Sequence, residues 1–197
     1  MVGDFINKKY RSGMQHKNLF LLTFFLFICG ISPARAELTE EAIKDFIHKT
    51  TEISSGHVES MSPEDISAYL DTHLHKKARF KSAVQYNIPG FPTQETSMSL
   101  NKEEYIQGLE QGANALSDYD TDITIKSIKI SKDGKRATVQ TTGIERGSLP
   151  MANGTQTEFV PVEGSSSCNQ ILKWEDDVIQ MYSAICSTVV TFQPFSN

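Results

Sequence analysis

The stretch SSSCNQILKWEDDVIQMYSAICSTVVTF, residues 165–192, predicts a long β-hairpin near the end of the chain. Two runs rich in apolar and β-branched residues, 166–174 and 178–191, flank an acidic tip at 175–177. A tip of this length joins two strands by a short turn, so the runs should pair antiparallel. We expect the rest of the fold to be organised around this hairpin.

The register of the hairpin decides which residues face each other. A three-residue loop over 176–178 would set Cys168 directly opposite Cys186. The pairs expected nearer the tip are Leu172 with Tyr182 and Trp174 with Gln180. A Cys168–Cys186 disulfide would stabilise the fold by about 3 kcal/mol, because it restricts the unfolded chain. The alternative is two buried free thiols, and the cellular compartment decides between the two.

The first 36 residues are typical of a secretory signal peptide. Basic residues precede the apolar run 19–31, and the motif Ala34-Arg35-Ala36 places small residues at a cleavage site. A membrane-spanning helix needs about 20 apolar residues, which favours a cleaved signal over the alternative of an uncleaved anchor. We therefore expect an exported protein, periplasmic or extracellular, with one mature domain over residues 37–197 and no membrane contact after cleavage. Met14 offers an alternative start of translation.

Cleavage would change both the cysteine count and the charge. Cys29 would leave with the signal peptide, so that Cys168 and Cys186 remain as an even pair in an oxidising compartment. The first 36 residues hold five of the 19 Lys and Arg residues and one of the 24 Asp and Glu residues, which leaves a net charge of −9 on the rest. This scattered negative charge argues against a nucleic-acid partner.

The periodicity of apolar residues predicts an α+β domain. Helices are predicted over 37–54, 62–74 and 101–116, and strands over 79–86, 95–100, 122–130 and 155–162. A change of phase among the isoleucines of the third strand predicts a β-bulge near Lys126 and Ser127. Asp133-Gly134 then predicts a type I′ turn. The pairs expected across this turn are Ile128 with Val139 and Ile130 with Ala137.

This order of elements resembles the nuclear transport factor 2-like family, also called the cystatin-like or ketosteroid isomerase-like fold. The resemblance covers residues 38–192 and is carried by the helix start NKEEYI at 101–106, the bent strand ending at Asp133-Gly134 and the terminal hairpin. It implies three N-terminal helices packed on a strongly curved antiparallel sheet, cone-like in shape, with a disulfide-stapled C-terminal hairpin. In that family the open end of the cone often holds a small molecule, and many members are dimeric or catalytically silent.

Three side chains are candidates for a site inside such a cone. His73 lies on the apolar stripe of the second helix, and Tyr69 and Tyr105 lie on the inner faces of the second and third helices. All three could anchor a ligand. Catalysis by His73 would need a second placed group, and sequence spacing assigns none. His75 is expected on the outer face of the second helix, in an exposed pair with Asp71.

No cofactor or metal is expected from local motifs. Asp118, Asp120 and Asp122 resemble the start of a calcium-binding loop, but the sixth position is Ile123 where the loop requires glycine. The chain also lacks the short motifs of zinc proteases, serine hydrolases and phosphate-binding loops.

Three classes of function remain. We expect a non-catalytic exported domain that binds a small apolar ligand or a protein partner. The first alternative is an isomerase or dehydratase that uses His73 as an acid–base group. The second is a structural module that forms a homodimer through the face of its sheet.

Overall fold

The computed structural model describes residues 37–56, 58, 60–112, 116–153 and 156–193, without the side chains of 110–112 and 153. The predicted signal peptide and its cleavage site at Ala36 lie outside these residues. The elements are α1 (Glu40–Ser54), α2 (Pro63–His73), β1 (Leu74–Asn87), β2 (Gln94–Leu100), α3 (Lys102–Gly112), β3 (Ser117–Ile130), β4 (Arg136–Asn153), β5 (Gln156–Glu175) and β6 (Val178–Phe192). No helix in the described ranges is long and apolar enough to cross a membrane.

Each helix begins at a side chain that satisfies free backbone N–H groups. Thr39 caps α1 through its side-chain oxygen. Ser62 and Asp65 form a reciprocal capping box at α2. Asn101 and Glu104 do the same at α3, with hydrogen bonds of 2.9 and 2.8 Å. The three predicted helices are therefore confirmed, and they begin one to three residues later than predicted.

The six strands form one sheet in the order β2-β1-β6-β5-β4-β3. β1 and β6 run parallel, whereas every other neighbouring pair is antiparallel. The prediction of a wholly antiparallel sheet is wrong at this one pair. The two strands lie far apart in the chain, so no hairpin turn fixes their relative direction.

The prediction of a strongly curved, cone-like sheet is also wrong, because the sheet is neither closed nor strongly curled. Its irregularities are local register shifts in the β1–β6, β3–β4 and β5–β6 pairs. The bulge predicted near Lys126 is confirmed, since the β3–β4 register shifts between Ile125 and Ser127. A bulge bends one strand locally, and here β2 and β3 remain as open edges.

The β5–β6 hairpin confirms the cysteine pair but differs from the prediction at its tip. Cys168 lies opposite Cys186, and the two form a disulfide. The loop contains two residues, Asp176 and Asp177, both with positive φ angles of 53° and 61°. Trp174 therefore pairs with Ile179, and Leu172 pairs with Met181. An extra residue at Tyr182 then shifts the register by one and restores the expected pairing at the cysteines.

The β3–β4 connection confirms its strand register but not its turn type. Ile128 pairs with Val139, and Ile130 pairs with Ala137. A type I′ turn needs two residues with positive φ, and here only Gly134 has one, at 66°. The Gly134 N–H donates to the carbonyl of Ser131 at 2.9 Å. Hydrogen bonds from the Ser131 hydroxyl and the Lys135 N–H lower the pKa of Asp133 in this turn.

The core lies between the helices and one face of the sheet. Its largest fully buried side chains are Ile43, Ile47, Leu172 and Val139. The start of the described chain belongs to this core, because Leu38 is only 4% exposed. The Leu38 N–H also donates to the Gly134 carbonyl at 2.9 Å. Leu38, the second residue after the predicted cleavage site, thus binds the chain to the β3–β4 turn.

Candidate functional site

A cavity of about 310 Å³ lies between α1, α3 and the helix-facing side of the sheet. The helices contribute Ile47, Thr50, Thr51, Ser54, Ser55 and Tyr105. The sheet contributes Phe80, Lys81, Ser82, Met98, Leu100, Tyr119, Thr121, Ile123, Thr141, Glu145, Ser166, Cys168, Gln170, Met181, Ala184, Cys186 and Thr188. Ligand cavities hold about 300–1,000 Å³, so this one suits a small molecule.

The α1 wall of the cavity is less polar than its composition implies. It carries four hydroxyl groups, and each donates to a backbone carbonyl of α1 itself. The distances are 2.8 Å for Thr50 and Ser54 and 2.9 Å for Thr51 and Ser55. A hydroxyl group has one hydrogen to donate. This wall therefore has no free hydroxyl hydrogen for a ligand.

Tyr105 is the predicted ligand residue that does line the cavity. Its ring stacks on Phe80, with centroids 3.9 Å apart and planes at 13°. Burial raises the pKa of Tyr105, and a hydrogen bond with the Ser54 side chain partly opposes that shift. The phenol is therefore neutral at physiological pH. A direct contact between Tyr105 and a ligand stays a prediction.

The floor of the cavity contains an unsatisfied acceptor. Gln170 Nε2 donates to Thr141 Oγ1 at 3.2 Å. Gln170 Oε1 is buried and has no hydrogen-bond partner in the described part of the chain. Such a group costs about 1–3 kcal/mol, and this cost disappears when a donor reaches it. Because less than 1 Å² of this oxygen is exposed, it does not face the open space of the cavity.

Charge is confined to few residues of the cavity wall. Among the lining residues that the structure describes, Lys81 and Glu145 are the charged ones. Burial, followed by the nearby Glu145 carboxylate, raises the pKa of Tyr119 to about 12. Tyr119 thus keeps its proton at neutral pH. No group of three or more His, Cys, Asp or Glu within the described ranges is placed to hold a metal ion.

Tyr69 and His73 lie together, outside the lining of this cavity. Their rings are 4.1 Å apart, and the His73 ring is 5.9 Å from that of Phe46. His73 Nδ1 lies 2.8 Å from the carbonyl oxygen of Ile179, so Nδ1 carries the hydrogen and donates it. Burial raises the pKa of Tyr69 to about 12. These contacts fasten α2 to β6, and a ligand-binding role for either residue stays a prediction.

The expected exposed pair of His75 with Asp71 is wrong. α2 ends before His75, which lies in β1 and is only 7% exposed. Its Nε2 lies 3.5 Å from the carboxylate of Glu175 at the hairpin tip. Asp71 instead accepts hydrogen bonds from the buried side chain of Lys102, through its carboxylate and its backbone carbonyl.

Sequence reasoning missed the sheet side of the cavity. Ser166, Cys168 and Gln170 alternate along β5 on the same face as the buried Leu172. Polar residues in the inward phase of a strand are a signal that the space beside them is not filled by core. The alternation of Ser166, Cys168 and Gln170 is visible in the sequence and indicates the cavity side of β5.

The comparisons with known proteins bear on the fold. No protein-family model matches the chain, and no curated protein matches it in sequence. A ketosteroid isomerase-like protein from Erwinia carotovora atroseptica is 15% identical, with 77% of this chain and 98% of that chain covered and a TM-score of 0.43. An NTF-2-like protein of unknown function from Shewanella oneidensis is 12% identical, with 75% and 97% covered and a TM-score of 0.41.

A third similar structure is a hexachlorocyclohexane dehydrochlorinase from Novosphingobium barchaimii. It is 11% identical, with 80% of this chain and 90% of that chain covered and a TM-score of 0.49. The similar structures thus include ketosteroid isomerase-like and NTF-2-like proteins, the family that the sequence resembles. Identities this low transfer no activity to this chain.

Proposed function

We propose that this domain binds one small, largely apolar molecule in the cavity between α1, α3 and the sheet, and that it does so without catalysis. The observation that carries the proposal is the α1 wall, whose four hydroxyl groups already donate to their own helix. A ligand against this wall therefore needs no hydrogen-bond acceptor, because no hydroxyl hydrogen is left to donate to it. Burial of its apolar surface then supplies the binding free energy.

We infer further that the ligand is uncharged. The sparse charge of the wall supports this step, because Lys81 and Glu145 are the charged lining residues among those that the structure describes. A neutral molecule with an apolar body fits this wall.

The isomerase or dehydratase alternative gains no support from the position of His73. Its ring lies outside the described cavity lining, and Nδ1 donates to the Ile179 carbonyl. An acid–base group needs contact with the reacting proton, directly or through one water molecule. We therefore expect a His73→Ala variant to lose stability while it keeps ligand binding.

A cavity-filling series tests the binding proposal. Ala184 lines the cavity, so Ala184→Val, Ala184→Leu and Ala184→Phe fill it by increasing amounts. Affinity for the neutral fluorescent probe N-phenyl-1-naphthylamine should fall along the series, by tenfold or more for phenylalanine, which corresponds to about 1.4 kcal/mol. The measurement is the probe's fluorescence on titration, with circular dichroism as a check of folding.

Ala83→Phe is the matched control. Ala83 lies in β1, three strand positions from the pair that Phe80 makes with Ala184, but it is exposed and outside this cavity. Its variant should bind the probe as the wild type does. Equal affinities for the Ala184 and Ala83 variants would place the probe elsewhere and defeat the proposal.

Export of the domain is part of the same proposal. The disulfide supports a compartment outside the cytoplasm, because cytosolic reductants keep most thiols reduced. Mass spectrometry of the protein secreted by its host should identify Glu37 as the first residue, as the Ala34-Arg35-Ala36 motif predicts. Recovery of a chain that retains residues 19–31 would contradict this step.

A homodimer through the outer face of the sheet stays a prediction. The outward residues of the central strands support it, since Ile185 and Ile144 are exposed there beside uncharged Ser165 and Asn169. Sedimentation of the purified domain that finds only monomers at high concentration would dismiss it.

A further inference from the structure

The Cys168–Cys186 disulfide forms part of the cavity wall. Both cysteines are half-buried rather than buried, and both line the cavity. Their neighbours on the same face of the sheet include three small residues, Ser166 on β5 and Ala184 and Thr188 on β6. Side chains of this size leave space beside the disulfide on the cavity side. A molecule that enters the cavity can therefore reach the bond.

The strands around the disulfide are held by more than the bond itself. Backbone pairing continues on both sides, from Ser166 with Thr188 to Gln170 with Ala184. β4 pairs with β5 at Cys168, and β1 pairs with β6 at Cys186, so the bond lies inside the sheet rather than at its edge. Cleavage of the bond thus leaves the four neighbouring strands paired.

We propose that Cys168–Cys186 is a thiol–disulfide exchange site reached through the cavity, open to small thiols and shielded by a bound ligand. The shielding rests on the proposed binding function, whereas the access of thiols does not. A protein oxidoreductase must bring its cysteine on a folded surface, and a cavity of about 310 Å³ does not admit one. The substrate class is therefore a low-molecular-weight thiol.

The exchange with a small dithiol follows ordinary thiol chemistry. One thiolate of the reagent attacks a cysteine sulfur, the protein S–S bond breaks, and the other cysteine leaves as a thiolate that takes up a proton. The second thiolate of the reagent then attacks the reagent's other sulfur, which is bonded to the cysteine in the mixed disulfide. This step releases the cysteine as a thiolate, which also takes up a proton. The protein gains two electrons and two thiols, and the reagent becomes a cyclic disulfide.

The test compares reduction rates of the folded protein. Dithiothreitol and a thioredoxin-type protein dithiol are each added under native conditions, and free cysteines are alkylated and counted by intact mass. We expect dithiothreitol to reduce the bond at a rate that does not change in low denaturant, and the protein dithiol to be slower by about tenfold or more at equal thiolate concentration. Ala184→Phe should slow dithiothreitol by a similar factor, while Ala83→Phe should not.

Each outcome has one meaning. Reduction that accelerates with denaturant in step with global unfolding, or equal rates for the Ala184 and Ala83 variants, overturns the proposal. If Ala184→Phe does not fold, access to the disulfide is blocked instead by Ala184→Leu, and in the wild type by saturating N-phenyl-1-naphthylamine. Unchanged rates of reduction by dithiothreitol under both conditions overturn the proposal. Slowing by Ala184→Phe without any probe binding supports the thiol route and refutes the proposed ligand function.

Discussion

Gly134 and Gly108 are two glycines in opposite situations. Gly134 has a φ of +66°, and a Cβ there would come within 2.7 Å of the Glu37 side chain. Gly108 lies in α3, and a Cβ there would meet nothing within 4 Å. We expect Gly134→Ala to lower the free energy of unfolding by about 1–2 kcal/mol and Gly108→Ala to raise it by up to about 1 kcal/mol. Chemical unfolding of both variants checks the pair.

The opposite signs make the comparison informative. Both variants add the same methyl group, so the difference in stability reports the local surroundings, which at Gly134 are a positive φ and the Glu37 side chain. A stabilising Gly134→Ala would mean that the β3–β4 turn, and the Leu38 hydrogen bond that depends on it, does not hold the conformation described above.

Single side chains also show how much of the candidate site can be predicted from the sequence. Helical periodicity correctly placed Tyr105 on an inner face, and the structure puts it in the cavity. The same periodicity placed Tyr69 and His73 on an inner face, but His73 hydrogen-bonds to β6 near the hairpin tip and Tyr69 packs on the His73 ring instead. Periodicity identifies the buried face of a helix, and it carries no information about which part of a sheet that face meets.

At the scale of the elements, we expect His75, at the junction of α2 with β1, to make the stability of the fold depend on pH. Burial lowers the pKa of His75, and Lys173, Lys76 and Lys77 act in the same direction while Glu175 opposes them. The unfolded chain, with a histidine pKa of about 6.5, then binds a proton at a pH where the folded state does not. Stability should therefore fall as the pH drops below about 6.5 and level off below the folded pKa.

The hydrogen bonds of His75 explain the direction. The backbone N–H of Lys77 donates to Nδ1 at 3.0 Å, so Nδ1 must stay unprotonated to accept it. We expect His75→Gln to flatten the stability profile between pH 7.5 and 5.5, roughly the window around an unfolded histidine. The exposed His48→Gln is the control and should keep the wild-type slope. Identical slopes for His75→Gln and the wild type would remove His75 as the source.

The hairpin shows why a correct pairing can come from a wrong loop. The prediction used a three-residue loop, whereas the molecule has the two-residue turn of Asp176 and Asp177 followed by a bulge at Tyr182. One residue fewer in the loop and one more in β6 cancel by the time the strands reach Cys168 and Cys186. Two aspartates in the left-handed region are a weak turn signal beside Asn-Gly, so the sequence did not distinguish the two solutions.

At the scale of the molecule, the sequence predicted which elements exist and in what order, but not how the strands are ordered across the sheet. Hairpin neighbours such as β3–β4 follow from local turns and alternating residues. The parallel β1–β6 pair depends on contacts between the two ends of the domain, where no local pattern applies. The cavity floor lies on β4, β5 and β6, so its residues could be found only once this arrangement was known.

The parallel pairing of β1 with β6 also sets the order of events during synthesis. β1 leaves the ribosome about a hundred residues before its partner strand does, and contacts this distant in sequence form slowly because a long loop must close first. Until β6 is made, the β1–β2 part of the sheet cannot join the β3–β4–β5 part. The domain therefore completes its fold only when almost the whole chain has been made, an order of events that suits the proposed export through a translocation channel.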